Sequence, residues 1–300
     1  MKILITGGTG FVGSFLSRYL VDRDHHVIAT GMRRRHNIEN GDRFAYISVD
    51  TTVPGAWQDR VSEADAVINL AGRNIFCYWT ETAKRRIHES RILTTRNVVG
   101  AMGKKQGPIL LSASAIGYYG DRGDELLEES SSAGDNFLAN VSASWEKEAL
   151  GAEAKGARVA LLRFSVILGK DGGALAKMLP AFKCFAGGPM GSGMQWFSWM
   201  HIQDLAAAVE MILVNEDMKG TFNFCSPHPE RHHHFAKTLG KALGRPAFLK
   251  MPAFVLKRIM GELGDVMLAS QRCVPQKLQR HGFEFQYPVL KNALGNLLNE

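Results

Sequence analysis

Apolar residues follow two spacings along the chain, one typical of buried strands and one typical of helices. Residues 2–6, KILIT, form an apolar run with the length and texture of a strand buried on both faces. After the next turn, apolar side chains recur on one helical face: Phe11, Val12, Phe15, Leu16, Tyr19 and Leu20. The pattern predicts a strand, a tight turn and a helix at the start of the chain.

The alternation of strand and helix patterns continues over the first half of the chain. A helix is predicted over residues 136–155, and further apolar runs predict strands at residues 26–30, 44–49, 66–71, 109–113 and 159–163. Strands that alternate with helices favour a parallel sheet with helices on both faces. The predicted fold class is α/β, a doubly wound parallel sheet of the Rossmann type.

The texture of the chain changes at the glycine-dense segment GGPMGSG, residues 187–193. Beyond it, helical patterns mix with short strands such as residues 221–224, which indicates a small C-terminal α+β lobe that closes over the carboxyl edge of the sheet. We expect residues 1–170 to form the Rossmann domain, with part of 195–226 returning to it, and residues 171–300 to form mostly the substrate lobe. Ligands bind at that edge of such sheets.

Glycines at positions 7, 10 and 13 follow the first strand at three-residue intervals, immediately before the helix pattern. Glycine permits a tight turn and a close approach of a pyrophosphate to the backbone amides, and a helix N-terminus attracts anions. We therefore predict a dinucleotide-binding turn. A tight connection without a ligand is the alternative.

The second strand ends in GMRRRHN, residues 31–37. An acidic residue here would bind the ribose 2′-hydroxyl of NAD, whereas an arginine would accept the 2′-phosphate of NADP. Arg33 and Arg34 are the candidates for that phosphate, and Arg35 is expected at the surface. NADP(H) is the predicted cofactor, with a solvated basic turn as the alternative.

Composition excludes several classes of protein. The 300-residue chain is 45% hydrophobic and 22% charged, which is typical of a globular protein. The net charge of +7 suits an anionic small molecule, and without a nucleic-acid-binding module we expect no nucleic-acid partner. The sequence shows no signal peptide and no apolar run of membrane-spanning length, so we expect a cytoplasmic protein without a membrane partner. Dispersed cysteines argue against a metal site.

Five segments together resemble the extended short-chain dehydrogenase/reductase superfamily: TGGTGFVG at 6–13, INLAG at 68–72, LSASAIGYYG at 111–120, ALLRFSVILG at 160–169 and GSGMQWFSWMHIQDLAAAV at 191–209. The resemblance implies that the first two segments bind the cofactor and that the third delivers the active-site serine, Ser114, with Ser112 as its rival because the local sequence permits a one-residue shift. The implied cofactor-binding residues are Thr6, Gly7, Gly10, Phe11, Val12, Gly13, Leu70, Ala71, Gly72 and Ser112. Asp50, after the third strand, is a candidate for an adenine contact or an ordinary turn aspartate.

A narrower resemblance rests on SASAIGYYG, FLANVSASWE at 137–146, GGPMGSG and VPQKLQRHGFEF at 274–285. These segments are similar to epimerase family proteins of the NAD-dependent epimerase/dehydratase type that are often labelled as cell-division inhibitor homologues, whose animal counterpart is an atypical short-chain dehydrogenase. The resemblance implies a small C-terminal domain and NADP(H) binding. It implies no substrate.

The superfamily's hydride chemistry rests on a tyrosine and a lysine four residues later on one helix. With Glu146 aligned to the glutamate that follows that lysine, the two positions fall on Leu138 and Ser142, neither of which does acid–base chemistry at neutral pH. A replacement proton donor could be Tyr118 or Tyr119 after Ser114, or His201. Buried aromatic packing is the alternative for the tyrosines, and a hydrogen bond to Asp204 or the backbone is the alternative for His201.

Two functions are consistent with these residues. The first is an atypical NADP-dependent oxidoreductase or epimerase acting on a small polar or nucleotide-linked substrate, in which Ser114 polarises the reacting oxygen. The second is a non-catalytic NADP(H) sensor read by a protein partner, for example in cell division. A basic helical face after INLAG, comprising Lys84, Arg85, Arg86 and Arg91, is interpreted as solvated, with a pyrophosphate-bearing substrate as the alternative.

Overall fold

The computed structural model describes residues 1–34, 36, 38, 41–103 and 107–299. Within them the strands are β1 (Lys2–Thr6), β2 (His26–Gly31), β3 (Phe44–Ser48), β4 (Ala66–Asn69), β5 (Ile109–Ala115), β6 (Leu126–Leu127), β7 (Arg158–Phe164), β8 (Val166–Gly169), β9 (Trp196–Phe197), β10 (Trp199–His201), β11 (Gly220–Phe224), β12 (Glu230–Arg231) and β13 (Arg272–Cys273). The α-helices are α1 (Phe11–Val21), α2 (Trp57–Glu63), α3 (Glu81–Ala101), α4 (Phe137–Leu150), α5 (Gly173–Lys183), α6 (Ile202–Val214), α7 (His232–Ala242), α8 (Ala253–Met260), α9 (Glu262–Leu268), α10 (Gln276–Arg280) and α11 (Leu290–Asn299).

Seven parallel strands form the central sheet in the order β11-β7-β5-β4-β1-β2-β3. The chain order reverses between β1 and β4, which is the topological switch point of a Rossmann-type sheet. Thr6 at the end of β1 pairs with Asn69 at the end of β4. The predicted doubly wound α/β fold is confirmed.

Helices cover both faces of this sheet because successive strand residues point to opposite sides. Ile3 and Ile5 pack in one core with side chains of α1 and α6, whereas Leu4 packs in a second core with side chains of α2, α3 and α4. Both cores are dominated by branched aliphatic residues. The strand runs therefore lack polar alternation, as expected for a sheet that is buried on two faces.

A third core lies in the C-terminal part of the chain, around Trp199, Phe235 and Leu294. It joins α5, α7 and α11 and includes side chains of the short parallel pair β8–β10. Strand β11, which includes residues 221–224, pairs in parallel with β7 and extends the central sheet. The division at residues 170 and 171 stays a prediction.

Two predicted elements are shorter than expected, for local reasons. The predicted helix over 136–155 ends at Leu150, followed by Gly151 and a 3₁₀ turn over Glu153–Lys155. The predicted strand over 66–71 ends at Asn69, after which the amide of Ala71 donates to Thr6 Oγ1. In the described part of the chain, no helix is long and apolar enough to cross a membrane, and no cluster of His, Cys, Asp or Glu could hold a metal.

Candidate cofactor and active site

The turn between β1 and α1 requires glycine at two positions where backbone meets backbone. Gly7 has φ +67°, and a Cβ there would lie 3.0 Å from Cα of Ala71. A Cβ on Gly13 would lie 2.3 Å from the carbonyl oxygen of Gly7. The turn is thus pressed against the segment after β4 on one side and against the first turn of α1 on the other.

The amino end of α1 is open to an anion. Gly10 is the N-cap residue and provides no capping side chain, and the first turn carries no acidic residue. The ring of Phe11 is held between Gly169, Gly172 and Gly173, where added Cβ atoms would lie 2.5–2.8 Å from it. The amides of the first turn, including that of Val12, therefore retain the donor capacity and partial positive charge of a free helix N-terminus.

Side chains at the ends of β1 and β4 are tied together beneath this turn. The hydroxyl of Thr6 donates to Asn69 Oδ1 (2.6 Å) and accepts from the amide of Ala71 (3.2 Å). Asn69 Nδ2 donates to Thr95 Oγ1 (2.8 Å) and lies 3.4 Å from Ser112 Oγ. Thr6 and Ser112 are buried in this network, whereas Leu70, Ala71 and Gly72 continue along the outer edge. The network positions the segment that the sequence assigned to the cofactor.

The basic loop after β2 begins against the glycine turn. A Cβ on Gly31 would lie 2.5 Å from Oγ1 of Thr9, and the Tyr46 hydroxyl donates to the carbonyl oxygens of Gly31 (2.9 Å) and Arg33 (2.5 Å). The side chains of Arg33 and Arg34 are exposed, and neither forms a salt bridge with a residue that the structure describes. Arg35 lies outside the described residues.

Asp50 occupies a local turn. Its Oδ1 accepts hydrogen bonds from the amide (3.0 Å) and the hydroxyl (2.7 Å) of Thr52. This is the ordinary turn that the sequence predicts as the alternative to an adenine contact. One carboxylate oxygen is therefore engaged, and the cofactor role of Asp50 stays a prediction.

Ser114, at the end of β5, belongs to a buried charged network. Its hydroxyl donates to Glu146 Oε1 (2.7 Å). Arg163 donates two hydrogen bonds to the same carboxylate, from Nε to Oε1 and from Nη2 to Oε2, both at 2.8 Å. Burial lowers the pKa of Arg163, but hydrogen bonds and the charge of Glu146 outweigh burial and leave the pKa above its ordinary value. Because the hydroxyl hydrogen of Ser114 is donated to Glu146, Oγ of Ser114 can only accept a further hydrogen bond.

Tyr118 and Tyr119 follow Ser114 on a 3₁₀ helix, Ile116–Tyr119, and have different environments. Tyr119 is fully buried; its hydroxyl accepts from Nη1 of Arg163 (2.9 Å) and lies 2.7 Å from Asn223 Oδ1, and burial raises its pKa well above 10. Tyr118 is partly exposed, with the guanidinium of Arg163 3.5 Å from its ring centroid. Its hydroxyl has no hydrogen-bond partner in the portion of the chain described. The hydroxyl of Tyr118 is thus available, and that of Tyr119 is engaged.

Helix α4 presents Leu138, Ser142 and Glu146 at four-residue intervals, on one face. Leu138 packs against Gly117: a Cβ added at Gly117 would lie 3.4 Å from Cβ of Leu138. Ser142 is buried. Glu146 reaches Ser114 from the same face. The positions aligned with the superfamily's tyrosine and lysine therefore face the end of β5 but carry an isobutyl group and a hydroxyl.

His201 is buried where β10 meets α6. Its Nδ1 caps α6 by accepting from the amide of Gln203 (3.1 Å), and its ring stacks on Tyr287 with centroids 4.1 Å apart. Burial lowers the pKa of His201 to about 4, against a hydrogen bond with Asn296 that raises it. The imidazole is neutral at pH 7, and these contacts match the backbone alternative raised from the sequence. A role as proton donor stays a prediction.

Three residues of this region were missed or misread from the sequence. From the sequence, Glu146 was used only to align α4 with the superfamily, and Arg163 was predicted only as part of a strand. Their ion pair joins residues 17 positions apart, so no local pattern indicates it. Arg91 was interpreted as solvated, but it is partly buried, with its guanidinium beside Gly72. An arginine inside an apolar strand is the one signal that could have found Arg163.

A cleft of about 300 Å³ opens between the sheet domain and the C-terminal segment. Trp79, Asn136 and Phe137 line one side, next to Leu138, and Lys257, Glu262 and Asp265 line the other. Both of these carboxylates have an ionic partner: Glu262 pairs with Lys84, and Asp265 pairs with Lys257. The cleft is lined by both polar and apolar groups and is adjacent to the start of α4.

Two family models match the chain. The model of the NAD dependent epimerase/dehydratase family matches residues 3–225, and a model of a domain of unknown function, DUF1731, matches residues 251–297. Among curated relatives, the chloroplastic epimerase family protein SDR39U1 homolog of Arabidopsis thaliana is 40% identical over 304 residues, covering 98% of this chain and 86% of the relative.

Two solved structures are similar over nearly the whole chain. The human epimerase family protein SDR39U1 (isoform 2), crystallised with NADPH, has a TM-score of 0.87 and 30% identity, with all of both chains covered. A nucleoside-diphosphate sugar epimerase from Corynebacterium glutamicum has a TM-score of 0.78 and 32% identity, covering 99% of this chain and 58% of that one.

Proposed function

The chain belongs to the NAD dependent epimerase/dehydratase family, and from that premise we propose that it is an NADP(H)-dependent oxidoreductase or epimerase of the atypical short-chain dehydrogenase/reductase type. One observation carries the proposal. The open amino end of α1 adjoins two exposed arginines at the end of β2, Arg33 and Arg34, which form no salt bridge with the described residues. That arrangement combines a diphosphate site with a site for one further phosphate.

The residues present fit this cofactor. Gly7 and Gly13 bring the turn so close to its neighbours that added Cβ atoms would clash, which leaves the first-turn amides exposed to a diphosphate. Arg33 and Arg34 would hold the 2′-phosphate, and the human relative was crystallised with NADPH. When bound, NADP(H) supplies the hydride acceptor or donor.

For proton transfer we assign Tyr118. Its hydroxyl has no hydrogen-bond partner among the described residues and can meet a substrate oxygen, whereas the hydroxyl of Tyr119 is engaged with Arg163 and Asn223. The guanidinium of Arg163 over the Tyr118 ring stabilises negative charge that develops when the phenol gives up its proton. Ser114 then accepts a hydrogen bond from a substrate hydroxyl instead of polarising a carbonyl, because its own hydrogen is bound to Glu146.

The substrate class follows from the cleft beside α4. Its volume of about 300 Å³ lies at the lower limit for ligand pockets, which favours a compact substrate. Asp121, Glu262 and Asp265 are acceptors for hydroxyl groups, and the indole of Trp79 offers an apolar face. We therefore assign a small polyhydroxylated substrate, free or nucleotide-linked, held between the Rossmann domain and the lobe of residues 171–300.

Fluorescence titration with NADPH and NADH tests the cofactor assignment. Replacing Arg33 and Arg34 together by alanine is expected to weaken NADPH binding by about 10-fold to 100-fold and to leave NADH binding unchanged. Arg85→Ala, an exposed arginine on α3, is the control. Equal affinities of the wild type for the two cofactors, or an unchanged double variant, would remove NADP(H) from the proposal.

The alternative is a regulatory protein that senses NADP(H), for example in cell division. One observation favours it: the α4 face that would hold the tyrosine and lysine of an active site carries Leu138 and Ser142. Incubation of the NADPH complex with carbonyl compounds and nucleotide sugars separates the two functions. Oxidation of NADPH or epimerisation supports the enzyme, whereas tight NADPH binding without turnover across the panel supports the sensor.

A further inference from the structure

The indole ring of Trp196, on β9, contacts two arginine side chains. Arg231 is the β12 residue that pairs with Trp196, and its Cζ lies 4.1 Å from the ring centroid. Cζ of Arg272, on β13, lies 4.7 Å from the same centroid. Each guanidinium is attracted by the face of the ring. Two cations that repel each other are thus held against one aromatic side chain.

Within the described ranges, an acid matches only one of these two charges. Asp124 Oδ1 lies 2.8 Å from Nη2 of Arg231 and accepts from Nε1 of Trp196, also at 2.8 Å. The hydrogen bonds from Trp196 and Arg231 hold the pKa of Asp124 below its ordinary value, so the carboxylate is ionised at neutral pH. Two arginines and one aspartate leave the cluster with one surplus positive charge.

The surplus charge belongs to Arg272. Its guanidinium forms no salt bridge and no hydrogen bond with a residue that the structure describes, and its Nε is buried. The residue as a whole is partly exposed, so the terminal nitrogens Nη1 and Nη2, rather than Nε, can meet a ligand. A partly desolvated cation without a counter-ion costs stability, and such groups cluster at functional sites.

Arg272 lies where the C-terminal segment meets the candidate active site. Ala269, three residues earlier, lines the cleft beside α4. Gln271, the preceding residue, donates from Nε2 to one carbonyl oxygen at each end of the 3₁₀ helix that carries Tyr118, both at 3.0 Å. The surplus charge therefore stands at the rim of the cleft, next to the turn assigned to proton transfer.

Two segments that contribute to this cluster carry the excess positive charge of the chain. Residues 172–203 and 231–261 contain nine lysines and arginines and no aspartate or glutamate. The net charge of the whole chain is +7, so its other parts together carry a slight excess of acid. The two segments are joined where β9 pairs with β12 and where the amide of Met251 donates to the carbonyl oxygen of Pro189 (3.0 Å). A positive potential concentrated in this way attracts anions.

We propose that Nη1 and Nη2 of Arg272 bind the carboxylate of a small acid, so that the substrate is a polyhydroxylated monocarboxylate rather than a nucleotide sugar. The inference rests on the proposed function, because the acid is the substrate of that same cleft. A planar guanidinium presents two parallel N–H groups that match a carboxylate. One surplus positive charge balances one carboxylate and not a diphosphate. A cleft of about 300 Å³ also favours a small acid.

Calorimetric titration with a sugar acid and its neutral counterpart tests the site. The probes are D-gluconate and D-glucitol, which differ only in the carboxylate, and each is titrated on the protein with and without NADPH. The wild type is expected to bind gluconate at least about 10-fold more tightly than glucitol. Equal affinities for the two probes overturn the proposal.

Arg272→Met removes the charge and keeps most of the side-chain length. This variant should bind gluconate about 10-fold to 100-fold more weakly and glucitol as the wild type does. Arg245→Met is the matched control, because Cζ of Arg245 also lies over an aromatic ring, 4.8 Å from the centroid of Phe185, and forms no salt bridge with the described residues. It should change neither affinity by more than about 2-fold. Wild-type affinity of Arg272→Met for gluconate contradicts the proposal.

Modification of the wild-type protein by phenylglyoxal decides the question if Arg272→Met does not fold. Gluconate should protect Arg272, located by mass spectrometry, and leave the rate at Arg245 unchanged. Equal modification of Arg272 with and without gluconate overturns the proposal. Protection by UDP-glucose and not by gluconate also overturns it, because Arg272 then binds a diphosphate.

The proposed function and the acid site can fail separately. If the wild type does not bind NADPH, the proposed function falls, and the preference of the unloaded protein for gluconate over glucitol still decides the role of Arg272. If NADPH binds and no preference for gluconate is found, the acid site falls and the proposed function stands.

Discussion

Ser114 donates its hydroxyl hydrogen to Glu146 across 2.7 Å, although the two residues are 32 positions apart. The same carboxylate holds Arg163, whose guanidinium packs on Tyr118 and hydrogen-bonds to Tyr119. One buried glutamate thus orients the serine and, through one arginine, both candidate tyrosines. The site assigned to proton transfer is held by a single ionic network inside the protein.

Removal of the carboxylate from this network should destabilise the fold. Glu146→Gln leaves the buried charge of Arg163 without its ion pair, so we expect the free energy of unfolding to fall by about 3–5 kcal/mol, measured by urea denaturation. Glu148, on the same helix as Glu146, pairs near the surface with Arg96 of α3; Glu148→Gln is the control and should cost much less. Equal losses in the two variants would contradict a dominant role of the buried pair.

The two tyrosines should respond differently to loss of their hydroxyl groups. Tyr119→Phe removes a buried group that partners Arg163 and Asn223, so unfolding should require about 1–3 kcal/mol less free energy. Tyr118→Phe should leave stability unchanged and lower kcat by about 100-fold to 10,000-fold on a substrate identified by the panel. Full activity of Tyr118→Phe would return the assignment to Tyr119 or His201.

The glycine turn can be tested without a substrate. In Gly13→Ala the new Cβ would meet the Gly7 carbonyl oxygen at 2.3 Å, so the turn must shift, and NADPH binding should be lost. Gly100→Ala is the control, because position 100 is an exposed position of α3 where a Cβ would meet nothing within 4 Å, and alanine there should stabilise the helix by about 0.5–1 kcal/mol. Retention of wild-type NADPH affinity by Gly13→Ala would show that the turn does not hold the cofactor.

Stability should fall with acid because two histidines are buried in the neutral form. Burial lowers the pKa of His201 and of His232 to about 4, from 6.5 in the unfolded chain. Between these values the unfolded state binds the extra proton, so each histidine makes unfolding easier by about 1.4 kcal/mol per unit of falling pH, and the full contribution is present only above 6.5.

His201→Asn retains an N-cap for α6 and removes one titrating group, so the slope of stability against pH in this window should fall by up to about 1.4 kcal/mol per pH unit. Urea denaturation at several pH values measures the slope. His228→Asn, at an exposed position, should leave the slope unchanged. An unaltered slope in His201→Asn would show that its imidazole does not resist protonation in the folded protein.

The sequence by itself determined the order of strands and helices, the glycine turn and the family. These features are encoded locally. An apolar run such as residues 2–6 predicts an inner strand that is buried on both faces, and the spacing of Gly7 and Gly13 is a signal contained in one short turn. The limits of the helix over 136–155 were less well predicted, because a local pattern continues past the residue at which packing ends the helix.

Only the tertiary structure decided which polar side chains share a site. Glu146 meets Ser114 and Arg163 because α4 packs across β5 and β7, and no local spacing reports that contact. The same holds for Arg91, whose helical position looks solvated until Gly72 and Trp145 are found beside it. Burial and charge pairing depend on which elements pack together, and that information is distributed over the whole chain.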